Sequence, residues 1–179
     1  MSVPPQDVLA NREVEQLERL IRRLADRIPE YPYQLALTAR LCAQLEKRMA
    51  ETANEVLRPL QLTYVLYQSM MIIHGGENGV IAPTEIAELT GERPNNVTHI
   101  CNHLEKQGYI TRTHNPVDRR RVEVSLTAAG RRLLGKAQPL IWAAWHRRFA
   151  GFSSKELALL PQLLKRQILN LDSPAGPAP

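Results

Sequence analysis

Cysteine and long apolar runs are scarce in this chain of 179 residues. The two cysteines, Cys42 and Cys101, lie far apart within helical patterns, so a disulfide framework is not expected and a reducing compartment is favoured. No apolar stretch approaches the roughly 18 residues that a membrane-spanning helix needs, and the first residues lack the basic-then-apolar layout of a secretion signal. These absences predict a cytoplasmic protein that is not held at a membrane.

Sequence motifs of the common enzymes are also absent. The chain has no GxSxG, HExxH or CxxC pattern and no glycine-rich loop that would cradle a phosphate. We therefore predict no catalytic residues and no cofactor. An enzyme whose catalytic residues are dispersed along the chain is the alternative.

The basic residues are concentrated in one segment. With 44% hydrophobic, 23% charged and 5% aromatic residues, the composition is that of a globular protein, and the formal net charge is +5. The segment from Glu92 to Arg121 holds six lysines and arginines against three acids, together with three of the five histidines. This local excess of positive charge favours a polyanion as the binding partner. A solvated basic surface without a partner would show the same charge distribution.

Apolar residues at helical spacing predict helices at both ends of the chain. In the N-terminal segment, which Pro29 ends, they are Val14, Leu17, Ile21, Leu24 and Ile28. A second helix is predicted from Tyr33 to Leu57, and a long helix follows Thr127, with Pro139 expected to bend it. A capping box at 153–156 opens the last helix, whose apolar face is Leu157, Leu160, Leu164, Ile168 and Leu171. The apolar faces of these terminal helices are larger than a small core can cover, so we predict a homodimer in which two copies bury them. An intramolecular helical bundle is the alternative.

The middle of the chain has the pattern of a helix-turn-helix followed by a hairpin. An apolar helix from Leu62 and the loop GGENGVIAP precede two short helical patterns, PTEIAELTG and RPNNVTHICNHLEKQG. Pro83 and Pro94 suit first helical turns, and Gly91 and Gly108 suit positions just past helix ends. The segments YITRT and RVEVSLT alternate in period two around a connection rich in turn residues, which predicts a hairpin.

The second helix of this pair separates into two faces. Its apolar side is Val97, Ile100, Cys101 and Leu104, and its polar side is Asn95, Asn96, Thr98, His99, Asn102 and His103. The amides, hydroxyl and imidazoles suit the acceptor-lined major groove of DNA and its flanking phosphates. The spacing His99-x-Cys101-x-His103 also suggests zinc, but Cys101 faces the core side and no third ligand lies nearby in the sequence, so no metal is predicted.

The stretch NPVDRRRVEVSLTAAG, with the order of helices and hairpin, resembles the MarR family of winged helix-turn-helix transcriptional regulators. The family's wing carries Asp-x-Arg, a strand that ends in Leu-Thr and a small-residue start to the next helix; Asp118, Arg120, Leu126, Thr127 and Gly130 occupy those places. The likeness covers roughly residues 31–171. PYQLALTARLC and NNVTHICNHLEKQGYITR are similar to the EmrR (MprA) branch, whose members repress multidrug efflux operons. Many family members have Arg where this chain has His99, so the base preference does not carry over.

The resemblance implies the fold and its division into parts. The expected fold class is mainly α with a small β-hairpin wing (α+β): a winged helix-turn-helix with N- and C-terminal dimerisation helices. The expected parts are a disordered N-terminus (1–6), N-terminal dimerisation helices (7–58), a DNA-binding lobe (59–127), C-terminal dimerisation helices (128–171) and a disordered tail (172–179).

The resemblance also implies an obligate dimer whose two wings meet DNA. Arg120 would enter the minor groove, held by an ion pair with Asp118, because a narrow A-tract groove has enhanced negative potential. Arg119 and Arg121 would meet phosphates. A hairpin tip that only aids solubility is the alternative. The expected DNA-binding residues are Arg93, Asn95, Asn96, Thr98, His99, Asn102, His103, Asp118, Arg119, Arg120 and Arg121.

MarR-like regulators commonly respond to small phenolic or aromatic acids bound between the dimer helices and the DNA-binding lobe. The expected ligand-binding residues here are Tyr33, Arg40, Tyr67, Met70 and His74, with Trp142 or Trp145 as further candidates. Each of these side chains would equally suit a core or an interface.

The leading hypothesis is therefore a homodimeric repressor that binds pseudo-palindromic operator DNA and is released by a small aromatic or phenolic acid. One alternative is a redox-responsive regulator of the same fold that uses Cys42, although an inert cysteine suits the lack of nearby activating groups better. Another is a helical interaction module that does not bind DNA. An enzyme would instead turn over a small aromatic compound.

Overall fold

The computed structural model describes residues 6–115, 118 and 120–172. Within these residues the helices are α1 (Gln6–Arg27), α2 (Tyr33–Leu57), α3 (Tyr64–Gly75), α4 (Pro83–Thr90), α5 (Pro94–Lys106), α6 (Ala128–Arg148) and α7 (Ser154–Asp172). The strands are β1 (Val80–Ile81), β2 (Ile110–His114) and β3 (Val122–Leu126), and short 3-10 turns span Arg58–Leu60 and Glu77–Gly79. This is the predicted fold class, mainly helical with a small antiparallel sheet.

The sheet has the strand order β1-β3-β2, and both pairings are antiparallel. The predicted hairpin is confirmed, with Ile110 opposite Leu126 and His114 opposite Val122. Strand β1 lies in a segment predicted to be a loop; Ile81 lies opposite Val124 there and is 8% exposed. Two residues are too few to show an alternating pattern, so no sequence signal marked this strand.

The core lies in the lobe formed by α3, α4, α5, the sheet and the facing parts of α2 and α6. The predicted central position of α3 is confirmed, because Tyr67, Met70 and Ile73 are at most 2% exposed. The other fully buried large side chains from neighbouring elements include Leu57, Ile86, Leu104, Val124, Leu134 and Ile141. These residues come from five elements besides α3, so the lobe is held together by packing between segments distant in the sequence.

The turn residues predicted to separate the elements take the expected positions. Pro83 and Pro94 occupy first turns of α4 and α5, and Gly91 and Gly108 follow these helices with φ of 71° and 72°. The capping box of α7 is also confirmed: the Ser153 N–H donates to the Glu156 carboxylate at 2.8 Å, and the Glu156 N–H donates to Ser153 Oγ at 3.3 Å. The Ser153 hydroxyl, which donates to the Glu156 carboxylate at 2.6 Å, lowers the pKa of Glu156, and the Ser153 N–H adds to this effect.

The first turn of α6 is joined closely to the hairpin. Thr127 Oγ1 accepts from the Gly130 N–H at 3.0 Å and donates to the Gly108 carbonyl at 2.7 Å. A Cβ at Gly130 would lie 2.1 Å from the Tyr109 carbonyl oxygen, which is far inside contact distance. Only glycine therefore lets α6 approach the lobe this closely.

We expect Gly130→Ala to destabilise the protein by about 1–3 kcal/mol, because α6 and the hairpin must separate to make room for the methyl group. Gly135→Ala is the matched control, since a Cβ at Gly135 of the same helix meets nothing within 4 Å. That substitution should raise stability by about 0.5–1 kcal/mol, because alanine favours the helix over the unfolded chain. Urea unfolding of both variants measures the difference. Equal stabilities would contradict the close packing at Gly130.

Several helices keep large apolar side chains exposed. Ile21 of α1 is 3% exposed, but the ends of its stripe, Val14 and Ile28, are 38% and 45% exposed. On α7, every residue of the predicted apolar face other than the half-buried Leu160 is exposed. Further exposed apolar side chains on α6 and after it are Leu140, Trp142, Trp145, Phe149 and Phe152. None of the helices in the described residues combines the length and apolar character that crossing a membrane requires.

Candidate DNA-binding surface

The two faces of α5 lie as the sequence predicted. Val97, Ile100, Cys101 and Leu104 are at most 5% exposed and pack into the core. The polar residues on the other side are all exposed: Asn95, Asn96, Thr98, His99, Asn102 and His103. Arg93, the residue just before the helix, is exposed as well. The packing of one face against the core thus fixes the polar face toward the outside.

Two asparagines of this face are held by charged neighbours. Asn96 Nδ2 donates to the Glu92 carboxylate at 2.6 Å. Arg112 of β2 donates to Asn102 Oδ1 at 2.7 Å, and its guanidinium lies 3.2 Å from a Glu105 carboxylate oxygen. The two contacts of Arg112 join the hairpin to α5, so the orientation of the hairpin is coupled to that of the helix.

Arg112 is part of this surface although it is not among the predicted DNA-binding residues. In the alternating pattern of β2, Arg112 shares a strand face with the buried Ile110, and it is half-buried. A charged side chain on the inward face of a strand needs a partner. The position of Arg112 on the inward face of β2 could be predicted from the sequence. Its partners, Asn102 and Glu105, could not, because they depend on how the hairpin packs against α5.

The wing tip is shaped by side-chain to backbone hydrogen bonds. Asn115 Oδ1 accepts from the Asp118 N–H at 2.9 Å, and Asp118 Oδ1 accepts from the Arg120 N–H at 3.0 Å. In the described part of the chain, Asp118 therefore contacts Arg120 through the backbone rather than through the predicted ion pair. Arg120 and Arg121 are exposed, whereas Arg119 lies outside the described residues. The carboxylate fixes the turn and leaves the Arg120 guanidinium available at the surface.

The His-x-Cys-x-His spacing does not form a ligand cluster. Cys101 is 1% exposed, while His99 and His103 are exposed on the opposite side of α5. Among the residues that the structure describes, no group of three metal-ligating side chains comes together. Burial raises the pKa of the Cys101 thiol, partly offset by its hydrogen bond with Arg112. Cys101 therefore behaves as a neutral, packed side chain.

We expect a thiol reagent to modify Cys42 at least about tenfold faster than Cys101 in the folded protein, because a buried neutral thiol reacts only when the structure opens. Cys42 is half-buried, with its Sγ 3.9 Å from Gln167 Oε1. Mass spectrometry of peptides alkylated for increasing times at pH 8 gives both rates. The same comparison in denaturant is the control, where the two rates should converge. Comparable rates in the folded protein would contradict the burial of Cys101.

The five residues expected to bind a ligand lie in different surroundings. Tyr67 and Met70 lie in the core, whereas Arg40 and His74 are exposed. The Tyr33 hydroxyl donates to Glu18 at 3.3 Å and binds the side chain of Arg22. None of the five lines either of the two clefts described next. Tyr67 is unusual in that its buried hydroxyl has no hydrogen-bond partner in the described residues, and burial raises its pKa.

The larger cleft, of about 920 Å³, lies between α2, the start of α3 and the turn that joins α4 to α5. Its lining includes Met49, Asn54, Arg58, Tyr64, Gln68 and Glu92. Asn54 Oδ1 accepts from the Tyr64 N–H at 2.7 Å, which fixes the start of α3 beside this cleft. Glu92 both lines this cleft and accepts the hydrogen bond from Asn96 on the polar face of α5, so it connects the cleft with that face.

A smaller apolar cleft of about 470 Å³ separates α7 from α1 and α2. Val14, Leu41, Leu45, Leu160 and Leu163 are among its lining residues. Cys42 and Leu164 line both clefts. The apolar faces of these helices were predicted from the sequence. The cleft between them was not, because it depends on how α7 packs against α1 and α2.

Comparison with known proteins agrees with this arrangement. A model of the MarR family matches residues 62–122, which span α3 to the wing. The transcriptional repressor MprA of Escherichia coli K12 is 28% identical over 156 residues, covering 87% of this chain and 89% of MprA. The HTH-type transcriptional regulator PrsX of Escherichia coli is 33% identical over 114 residues, covering 64% of this chain and 69% of PrsX.

The fold is also shared with solved structures. A cysteine-to-serine variant of Escherichia coli MarR, complexed with operator DNA, has a TM-score of 0.64 and 26% identity, covering 72% of this chain and 91% of that one. The match to this structure extends over most of both chains, and the sequence matches to MprA and PrsX also extend beyond the segment that the family model covers. The chain belongs to the MarR family and is a transcriptional regulator rather than an enzyme.

Proposed function

We propose that two copies of this chain form a repressor that binds pseudo-palindromic operator DNA and is released by a small aromatic or phenolic acid. The observation that carries the proposal is the exposed polar face of α5 beside a wing whose Arg120 and Arg121 are also exposed. The cytoplasmic location and the division into lobe and dimerisation helices remain predictions within this proposal.

The proposed DNA contacts combine groove and phosphate recognition. Neutral donors and acceptors on α5 suit base edges in the major groove, with Asn95, Asn96, Thr98, His99, Asn102 and His103 in this role. Arg93 and the wing arginines Arg119, Arg120 and Arg121 suit phosphates and the minor groove, where positive charge releases counterions. Asp118 acts by shaping the turn that presents Arg120.

The proposed dimer follows from the exposed apolar helices. Ile168 and Leu169 of α7 are 59% and 66% exposed, and Trp142 of α6 is 48% exposed. Apolar patches of this kind are rare on monomers and mark interaction surfaces. A second copy related by two-fold symmetry would cover them and place the two α5 helices ~34 Å apart, one turn of duplex.

The proposed effector site is the larger cleft, with the five residues expected from the sequence as further candidates. A cleft of this size suits a small aromatic acid, for which Arg58 offers a counter-charge. Tyr67 remains a candidate, because an unpartnered buried hydroxyl is uncommon in folded proteins. Release from DNA requires only that the ligand bind more tightly to a dimer conformation that cannot bind DNA than to the one that can.

Selection of genomic fragments by the purified protein, followed by a screen of aromatic acids for release, tests this proposal. A regulator should select a shared sequence, and its affinity should fall steeply as salt rises. A helical interaction module would show neither a preferred sequence nor a steep dependence on salt. Release by none of the acids would reject the effector class while leaving the DNA-binding role intact.

A redox response through Cys42 is the second candidate, because Cys42 lines both clefts and Cys101 is buried. Peroxide would then abolish DNA binding by the wild type but not by Cys42→Ser. If the wild type and this variant respond alike, Cys42 is not the trigger.

A further inference from the structure

The polar face of α5 carries three asparagines, Asn95, Asn96 and Asn102, and their amides are not equivalent. A two-point contact with the major-groove edge of adenine needs the carbonyl oxygen and the NH2 group of one amide together. An amide already held by a charged neighbour keeps one N–H and one lone pair of its oxygen, but that neighbour fixes the plane in which they point, so turning the amide toward a base breaks the bond. The neighbours of each amide therefore decide which asparagine can recognise a base.

The chemistry of the partners fixes the orientation of two of the amides. A carboxylate only accepts hydrogen bonds, so the group of Asn96 that faces Glu92 is its NH2. A guanidinium only donates, so the group of Asn102 that faces Arg112 is its carbonyl oxygen. Breaking a hydrogen bond to a charged group costs about tenfold or more in an equilibrium constant. This cost is comparable with the gain from a two-point base contact.

Asn95 differs from both. Within the described residues, no hydrogen-bond partner is found for its amide, and the side chain is exposed. It is the second residue of α5, directly after Pro94. In helix-turn-helix proteins the N-terminal residues of the recognition helix contact base edges. Asn95 thus combines the required position with an amide whose two groups are both available.

We propose that Asn95 determines the base specificity of α5, by recognising adenine at one base pair in each half of the operator. The amides of Asn96 and Asn102 are oriented by their charged neighbours, so they contact the groove only in the orientation that Glu92 or Arg112 allows. This assignment rests on the proposed function of α5 as the recognition helix.

The experiment uses the full-length protein and a pool of randomised DNA duplexes. After wild type has selected its sequence, affinity is measured for every single-base change in that sequence at fixed salt. Asn95→Ala should lose about 5- to 150-fold discrimination in favour of adenine at one base pair of each half-site. Asn102→Ala is the matched control, and it should keep that preference even where its overall affinity falls.

Asn95→Asp provides a second readout that a structural defect would not produce. A carboxylate only accepts, so the preference at the same base pair should move from adenine to cytosine, whose exocyclic amine donates. Thermal melting of both Asn95 variants should stay close to that of wild type, because the Asn95 side chain is exposed.

If wild type selects a sequence but Asn95→Ala retains every adenine preference, or Asn102→Ala is the variant that loses it, the assignment to Asn95 is overturned and the proposed function stands. Retention of the adenine preference by Asn95→Asp would likewise overturn it. If wild type selects no sequence at all, the proposed function itself fails, and the assignment fails with it.

Discussion

Replacing Arg120 by alanine is expected to weaken operator binding by about 100-fold or more at fixed salt, while the dimer and its melting temperature stay unchanged. The guanidinium is exposed at the wing tip, and the hydrogen bond between Asp118 and the Arg120 backbone does not require it. Loss of a charge-assisted contact costs about 1.5–3 kcal/mol, and each dimer would lose two. Fluorescence anisotropy with the selected duplex measures the change.

Arg23→Ala is the matched control for charge, because Arg23 is an exposed arginine of α1, outside the winged lobe. Its removal should change affinity less than about twofold, since screened charges away from the interface contribute little. Asp118→Asn should retain most of the affinity, because an amide oxygen can accept the Arg120 N–H as the carboxylate does. Equal effects of Arg120→Ala and Arg23→Ala would contradict the wing assignment.

Introducing two glutamates into α7, as Leu164→Glu with Ile168→Glu, is expected to separate the dimer and lower operator affinity by about 100-fold or more. Both side chains are exposed apolar groups, 38% and 59% exposed, one helical turn apart. In a dimer that buries these positions, the glutamate carboxylates would lose their hydration, and this cost would weaken the association of the two chains. A monomer would also lose the gain of about 10²–10⁴ that comes from joining two binding units. Sedimentation velocity and anisotropy give the two results.

Gln162→Glu is the control for this pair of substitutions. Gln162 is exposed on another face of α7, where its side chain donates to the Ala158 carbonyl at 3.2 Å. This variant should stay dimeric and bind DNA nearly as wild type does. A doubly substituted protein that remains a dimer would show that α7 does not contribute to the interface.

The sequence predicted those parts of the fold that local physical rules determine. Helical spacing separated Val97 and Ile100 from Asn95 and His99, because only one face of α5 meets the core. Gly91 and Gly108 marked helix ends because positive φ favours glycine. The capping box at Ser153 was equally readable, since its two hydrogen bonds join residues three positions apart.

The features that the sequence did not predict depend on packing between distant segments. Arg112 and Asn102 meet only because the hairpin lies against α5, and no local spacing encodes that contact. The larger cleft combines α2, the start of α3 and the α4–α5 turn, so its residues form no motif. Tyr67 and Met70 were proposed as ligand contacts by their residue types, yet buried aromatic and sulfur-containing side chains serve a core equally well.

The central claim is that two copies of α5 and two wings bind one pseudo-palindromic duplex. Cleavage protection of the selected duplex at single-nucleotide resolution, with the protein-to-DNA ratio measured in the same titration, tests it most directly. A dimer bound in this way should give two chains per duplex and two symmetric protected half-sites whose centres lie about one helical turn apart. A single asymmetric protected region, or uniform protection with no preferred site, would contradict it.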